Sequence, residues 1–270
     1  EEAPSPSISE EIREEMCQAA VQLAKQIWYE GAGTVEFLVQ DDSFYFLEMN
    51  TRLQVEHPVT EEITGVDLAQ WQIRIAQGER LSIKQEDLVV KGHAVEARLY
   101  AEDDEYLPQT GTIELWKPAK ASWLRVEHGL NAKQSVSSFY DPMLAKYVVW
   151  GNNRSIALDR MRWALKESLI LGLVCNKVRL MDIVSHPEFE SGVFDVLWLE
   201  RQEWKLKEPS SQLEGIAAWL MLAPWGNGWV SRGTPRSVQK INDRSWALEQ
   251  LASERFKITS DEDEFELEIR

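Results

Sequence analysis

Residues 48–56 read Glu-Met-Asn-Thr-Arg-Leu-Gln-Val-Glu. Side chains alternate along an extended strand. If this stretch is extended, Glu48, Asn50, Arg52, Gln54 and Glu56 face one way and Met49, Thr51, Leu53 and Val55 face the other. The first face lines up two carboxylates, a guanidinium and two amides, while the second suits a core. Burying that polar face without partners would be costly. The pattern therefore predicts a β-segment with one face in the core and the other given to binding or catalysis.

The preceding residues supply a strand to pair with it. Stretches 34–39 and 44–50 have strand character, and Gln40-Asp41-Asp42-Ser43 between them signals a hairpin. A three-residue loop would place Glu36 opposite Glu48. Two carboxylates facing each other on neighbouring strands repel at a Cβ separation of ~5 Å. A divalent cation between them removes the repulsion, and hard cations such as Mg²⁺ take carboxylate oxygens and share them with phosphate. The competing reading is a different register, with each Glu solvated or salt-bridged.

Elsewhere the pattern predicts an amphipathic helix over 7–30, with Ser7 and Glu10 as a capping box, and a helix over 66–78. Residues 91–100 predict a strand with His93, Val95, Ala97 and Leu99 on one face and Ala94, Glu96, Arg98 and Tyr100 on the other. His93 then reads as a core histidine. His57, directly before Pro58, reads as a packed or turn residue and is given no chemical role. Arg98 has a plain structural reading, an ion pair with Glu96 or with the acids of 102–105. Short strands are expected at 111–116, 123–127 and 147–150. Ser155 is expected to cap a helix running to Leu171, with Gly172 as its stop, and Asn176 to cap another. A helix at 212–223 and strands at 237–241, 255–259 and 264–269 complete the reading.

The 270 residues are 44% hydrophobic, enough for about two domains. A net charge of −16 argues against nucleic-acid binding through a basic surface. Cys17 and Cys175 are far apart in sequence, which points away from a disulfide framework or zinc site and towards a reducing compartment. No run approaches the ~20 apolar residues of a membrane span. Both ends read as cut from something longer.

Several segments together resemble the biotin carboxylase family: 44–67 (FYFLEMNTRLQVEHPVTEEITGVD), 92–98 (GHAVEAR) and 140–146 (YDPMLAK). The resemblance runs from residue 1 to about 200. It implies an α+β fold. Residues 1–85 would be the C-terminal part of an ATP-grasp domain and 86–203 the biotin carboxylase C-terminal domain. Residues 204–270 more weakly resemble the start of the helix-plus-β-barrel region that contacts the partner subunit in acyl-CoA carboxylase α subunits.

The implied chemistry is ATP- and bicarbonate-dependent carboxylation of biotin N1 through carboxyphosphate. Glu36, Glu48 and Asn50 would hold Mg²⁺ or Mn²⁺ against ATP, and Leu38 would keep an adenine-side position. Arg52, Gln54 and the backbone of Val55 would bind bicarbonate, Glu56 would be its base, and Arg98 would stabilise the biotin enolate. The implied partners are a biotin carboxyl carrier domain, a carboxyltransferase β subunit and a second copy of the C-terminal domain. The implied compartment is the cytoplasm or the mitochondrial matrix.

No glycine-rich phosphate loop and no Ala/Val-Met-Lys-Met biotin attachment motif occurs in these residues. This stretch alone is therefore expected not to turn over ATP or to carry biotin. The alternatives are a non-catalytic dimerisation or docking scaffold, or another ATP-grasp ligase resembling carbamoyl-phosphate synthetase.

Overall fold

A computed structural model describes residues 1–131, 133–204, 236–237, 246–252, 255–260 and 264–268. The chain divides into two compact units, Glu1–Trp198 and Leu199–Arg270.

In the first unit, β1 (Glu2–Ala3) precedes α1 (Glu10–Gln26). The N-cap of α1 is Ser9 and not Ser7. Ser9 is extended, its side chain accepts a hydrogen bond from the Ile12 amide, and Glu10 and Glu11 fill the first turn, where the helix dipole favours acids. The hairpin follows as β2 (Thr34–Gln40) and β3 (Ser43–Asn50). Its loop is two residues long, one shorter than expected. A bulge nevertheless restores the expected register. Glu36 pairs with Glu48 while Phe37 pairs with Phe46, so Leu47 is the extra residue.

The extended ladder does not persist to Glu56. The strand ends at Asn50, residues 51–56 form an irregular turn, and α2 (His57–Thr64) begins at once. Pro58 in the first turn suits a helix start, because its missing N–H would have had no partner there. Gly65 ends the helix at a φ of 73°. The helix α3 (Leu68–Ala76) then starts on Asp67, whose side chain accepts from the Gln70 amide.

β4 (His93–Tyr100), β5 (Gly111–Thr112), β6 (Leu115–Lys117), β7 (Leu124–His128), β8 (Ser135–Val136) and β9 (Met143–Gly151) come next. The central sheet has the order β1-β4-β9-β7, all antiparallel. The helix expected to run from Ser155 to Leu171 is shorter. It is α4 (Arg154–Glu167), capped by Asn153, whose side chain accepts from the Ile156 amide. It stops because buried Ser168 turns extended, donates back to the Ala164 carbonyl and accepts from the Ala119 amide. Leu169–Leu171 is then β10, paired with β6. Two short helices follow, α5 (Lys177–Val184) and α6 (Pro187–Ser191).

The alternation on β4 decides how the sheet is used. Val95, Ala97 and Leu99 join Tyr147 and Val149 of β9 in the main core, against Leu158, Met161 and Leu165 of α4. On the opposite face, Ala94 packs with Val59 and Ile63 of α2. The sheet thus carries α4 on one side and α2 on the other, and α2 brings the irregular segment 51–56 with it.

In the second unit, β11 (Arg236–Ser237), β12 (Trp246–Ala252), β13 (Arg255–Ser260) and β14 (Glu264–Glu268) form one antiparallel sheet in chain order. β12 was not expected from the sequence, while β13 and β14 lie where strands were expected; of the strand expected at 237–241 only Ser237 lies among the described residues, in β11. The helix expected at 212–223 lies outside the described residues.

Candidate active site

Two clusters meet around residues 51–56. The first is built on the hairpin. The bulged register places Glu36 opposite Glu48, and Asn50 sits between them. The Asn50 Nδ2 donates to Glu36 Oε1 at 2.7 Å and to Glu48 Oε1 at 3.1 Å. The Gln54 Nε2 donates to the same Glu36 oxygen at 3.0 Å, and the Arg52 Nη2 donates to Asn50 Oδ1 at 3.3 Å. No lysine or arginine pairs with Glu36 or Glu48 among the described residues. The amides thus bridge two anions that have no protein cation. Arg52 is exposed, and the Gln54 Oε1 is buried without a donor. Leu38, on β2 opposite Tyr45, is half exposed and touches none of these groups through a hydrogen bond.

The second cluster is built on the α2-facing side of the central sheet. Register places Arg98 of β4 beside Lys146 of β9, and Lys146 beside Glu127 of β7. The Arg98 Nη2 donates to Glu56 Oε2 at 2.8 Å and lies 2.7 Å from Glu1 Oε1. The expected Arg98–Glu96 ion pair is present as a long contact, 3.8 Å from Nε to Oε1, which is beyond hydrogen-bond range. Lys146 is buried; its Nζ donates to the Val55 carbonyl at 2.8 Å and to Glu127 Oε2 at 2.7 Å. Arg125 joins Glu127 to Glu61 of α2, the latter at 2.7 Å. Burial would raise the Glu127 pKa, but hydrogen bonds from Lys146 and Arg125 hold it below the ordinary carboxylate value. Burial pushes Glu96, on the same sheet face, up to about 7.

Four residues of the sequence ladder, Glu48, Asn50, Arg52 and Gln54, converge with Glu36, and the fifth, Glu56, joins the second cluster; strand alternation does not carry the arrangement. Glu48 and Asn50 end β3. Arg52 and Gln54 turn back onto the hairpin. Glu56 turns the other way, onto Arg98. Sequence reasoning missed the supports. Lys146 stood in a quoted motif without a role, and Arg125 and Glu127 were not singled out. The available signal was the alternation of charged and apolar residues along β7; in β9 it was Lys146, the single charge in an otherwise apolar strand. Asn176 stands at the N-cap of α5, as expected, but its side chain makes no cap bond; it accepts from the Tyr100 amide at 2.9 Å and donates to the Arg98 carbonyl at 3.2 Å, gripping the end of β4. His57 heads α2 with its Nδ1 2.7 Å from the Gln54 carbonyl, a turn contact. His93 is buried, 2.7 Å from Glu2, which also takes Arg154.

Oxygen donors with no protein cation between them fit a hard divalent ion. Among the described residues, no group of three or more His, Cys, Asp or Glu side chains is placed to hold a metal alone. A cation here would rest on the two carboxylates, with the Asn50 amide, which turns its Nδ2 to them, offering Oδ1 only after a flip, and would take its remaining ligands from water or substrate.

Residues 1–84 match the family model described as the carbamoyl-phosphate synthase L chain, ATP binding domain, and residues 96–201 match the biotin carboxylase C-terminal domain. The mitochondrial methylcrotonoyl-CoA carboxylase subunit alpha of Mus musculus is 49% identical over 196 residues, covering 71% of this chain and 27% of that protein. A biotin carboxylase of a Nostoc species is 46% identical over 195 residues, 71% of this chain and 44% of its own. Among solved structures, the biotin carboxylase domain dimer of Hydrogenobacter thermophilus 2-oxoglutarate carboxylase, in complex with MgADP, ADP and bicarbonate, superposes with a TM-score of 0.72. It is 42% identical and is matched over 74% of this chain and 45% of its own. The chain spans less than half the length of these relatives.

Proposed function

This chain belongs to the biotin carboxylase family, and on that premise we propose that it supplies the metal, bicarbonate and biotin side of a biotin carboxylase site in an acyl-CoA carboxylase. The observation that carries this reading is the opposed placement of two groups joined by one short segment. The Glu36–Glu48–Asn50 cluster lies before residues 51–56, and the Glu56–Arg98 pair lies after them.

In this reading, Glu36, Glu48 and Asn50 would hold magnesium or manganese, which would neutralise phosphate charge. Arg52 binds bicarbonate through paired hydrogen bonds, which a planar guanidinium suits. The Gln54 Oε1, buried without a donor, borders the same pocket. Glu56 removes the bicarbonate proton, and the oxygen freed by it attacks the terminal phosphorus of ATP to give carboxyphosphate and ADP. Carboxyphosphate then releases CO2 and phosphate, the phosphate takes the biotin N1 proton, N1 bonds to the CO2, and Arg98 turns to the biotin oxygen, where negative charge develops meanwhile. Lys146 fixes the Val55 carbonyl and so the position of the bicarbonate pocket.

We propose the domain limits as 1–85, 86–203 and 204–270. Biotin would arrive on a carrier domain, and the carboxyl group would pass to a carboxyltransferase partner. The exposed apolar side chains of the hairpin, among them Leu38, Tyr45, Phe46 and Leu47, suit a sheet that continues into the rest of an ATP-grasp domain. These 270 residues by themselves are proposed not to turn over ATP.

The test is Glu56→Gln in a full-length carboxylase bearing this sequence. Loss of a positioned base predicts at least about a hundredfold fall in bicarbonate-dependent ADP formation. Gel filtration should be unchanged. Undiminished turnover overturns the reading.

A further inference from the structure

Glu96 is a carboxylate in an unusual position. Its side chain is wholly inaccessible, and neither oxygen has a hydrogen-bond partner. The Arg98 Nε is also buried and also without a partner. The two groups stand 3.8 Å apart on the same face of β4, two residues from each other. A bond needs the guanidinium to close by roughly 1 Å. It is held away because its Nη2 is engaged by Glu56 and Glu1. A buried acceptor and a buried donor, each unsatisfied and each facing the other, are costly to keep apart.

We infer that Glu96 is a second seat for the Arg98 guanidinium, taken when Glu56 loses its negative charge. The inference rests on the functional reading for its trigger, since Glu56 becomes neutral when it accepts the bicarbonate proton. At that point one of the two pulls on Nη2 weakens, leaving Glu1 alone to set against Glu96. Closing onto Glu96 keeps Arg98 oriented during the interval in which it must leave Glu56 for biotin. Glu96 touches no substrate and is a positioning residue.

The surroundings suit a seat whose charge answers to its neighbours. Lys146 of β9 and Arg98 of β4 favour the ionised form of Glu96, as does the amino terminus, and the Glu1 carboxylate opposes it. The elements packed on this face also present Glu61 and Glu62 of α2, Arg125 and Glu127 of β7 and Tyr100 of β4, beside the apolar Val59 and Ile63 of α2. Burial holds the carboxyl near neutrality, at about 7, so it ionises readily when a guanidinium approaches.

The experiment follows the Arg98 Nε–H by ¹⁵N-edited NMR in the whole chain, so it does not depend on turnover. Glu56→Gln mimics the proton-loaded base. The Arg98 Nε–H should then move downfield and exchange with water more than about tenfold more slowly, as expected for a newly made charge-assisted bond. Adding Glu96→Gln should abolish both changes. An Arg98 signal that is identical in wild type and Glu56→Gln overturns the inference, as does a double variant that behaves like Glu56→Gln alone.

In a full-length carboxylase, Glu96→Gln should lower kcat for biotin carboxylation about tenfold or more, with KM for bicarbonate unchanged, because misplacing Arg98 by ~1 Å is enough. An unchanged kcat also overturns it. Full activity of Glu56→Gln in that enzyme, together with a shifted Arg98 signal, would sink the functional reading while the second seat stands.

Discussion

Glu56 and Glu96 are both carboxylates within reach of Arg98, yet their surroundings set them apart. Glu56 is half-buried and bonded; Glu96 is fully buried and unbonded. This contrast gives a pH prediction. The Glu96 pKa in the folded chain, about 7, lies above its ordinary value of 4.5. The folded state therefore keeps the proton longer than the unfolded state. Stability from this group is full below pH 4.5 and is lost as pH rises through 7, by about 3 kcal/mol at ~1.4 kcal/mol per pKa unit. Thermal unfolding at pH 5 and pH 8 should show this loss in wild type and a flatter profile in Glu96→Gln. Equal pH dependence in both would refute it. The residue types at the site were legible in the sequence, because a run of acids, amides and arginine two apart is hard to explain as core. The partner of Arg98 was not legible. The nearer candidate in sequence, Glu96, keeps only a 3.8 Å contact with the Arg98 Nε, because Glu56 and Glu1 draw the guanidinium the other way.

At the scale of elements, the turn 51–56 is held less by its own backbone than by the sheet beneath it. The Val55 carbonyl is tied by the Lys146 Nζ, itself held by Glu127. Lys146→Met keeps the aliphatic stem and removes the tie. It should weaken bicarbonate use in a full-length enzyme by about ten- to a hundredfold, and Lys146→Arg should restore part of it; steady-state KM for bicarbonate is the readout. Gly92 makes a second element-level prediction. It enters β4 at a φ of 69°, and a Cβ there would lie 2.3 Å from the Gly151 carbonyl oxygen. Gly92→Ala should therefore cost roughly 2 kcal/mol or more, seen as a lower denaturant midpoint. Period-two patterning exposed the hairpin and β4 in the sequence. It failed beyond Asn50, where the polar alternation continued but the strand did not. There the contact that wins is the packing of Val59 and Ile63 on Ala94, which requires α2 to begin at His57. The end of α4 was illegible for a similar reason, since Ser168 stops it through the distant Ala119 amide.

The whole molecule joins a well-packed sheet to a thin hairpin. The sheet β1-β4-β9-β7 is covered on both faces, while β2 and β3, among the described residues, pair only with each other and expose several large apolar side chains. A two-stranded hairpin contributes little stability alone. Amide hydrogen exchange should therefore be fast in β2–β3 and slowest in β4 and β9, and uniform protection across both would contradict this. The overall α+β class and the family were readable from motifs that recur along residues 1–200, but the turn supports emerged only once the strands were registered. The central claim is that the hairpin seats a divalent cation between Glu36 and Glu48. Mn²⁺ binding to the 270-residue chain, followed by electron paramagnetic resonance, tests it most directly. The account predicts a bound ion whose affinity falls at least about tenfold in Glu36→Gln and again in Glu48→Gln; affinity unaltered by both substitutions would contradict it.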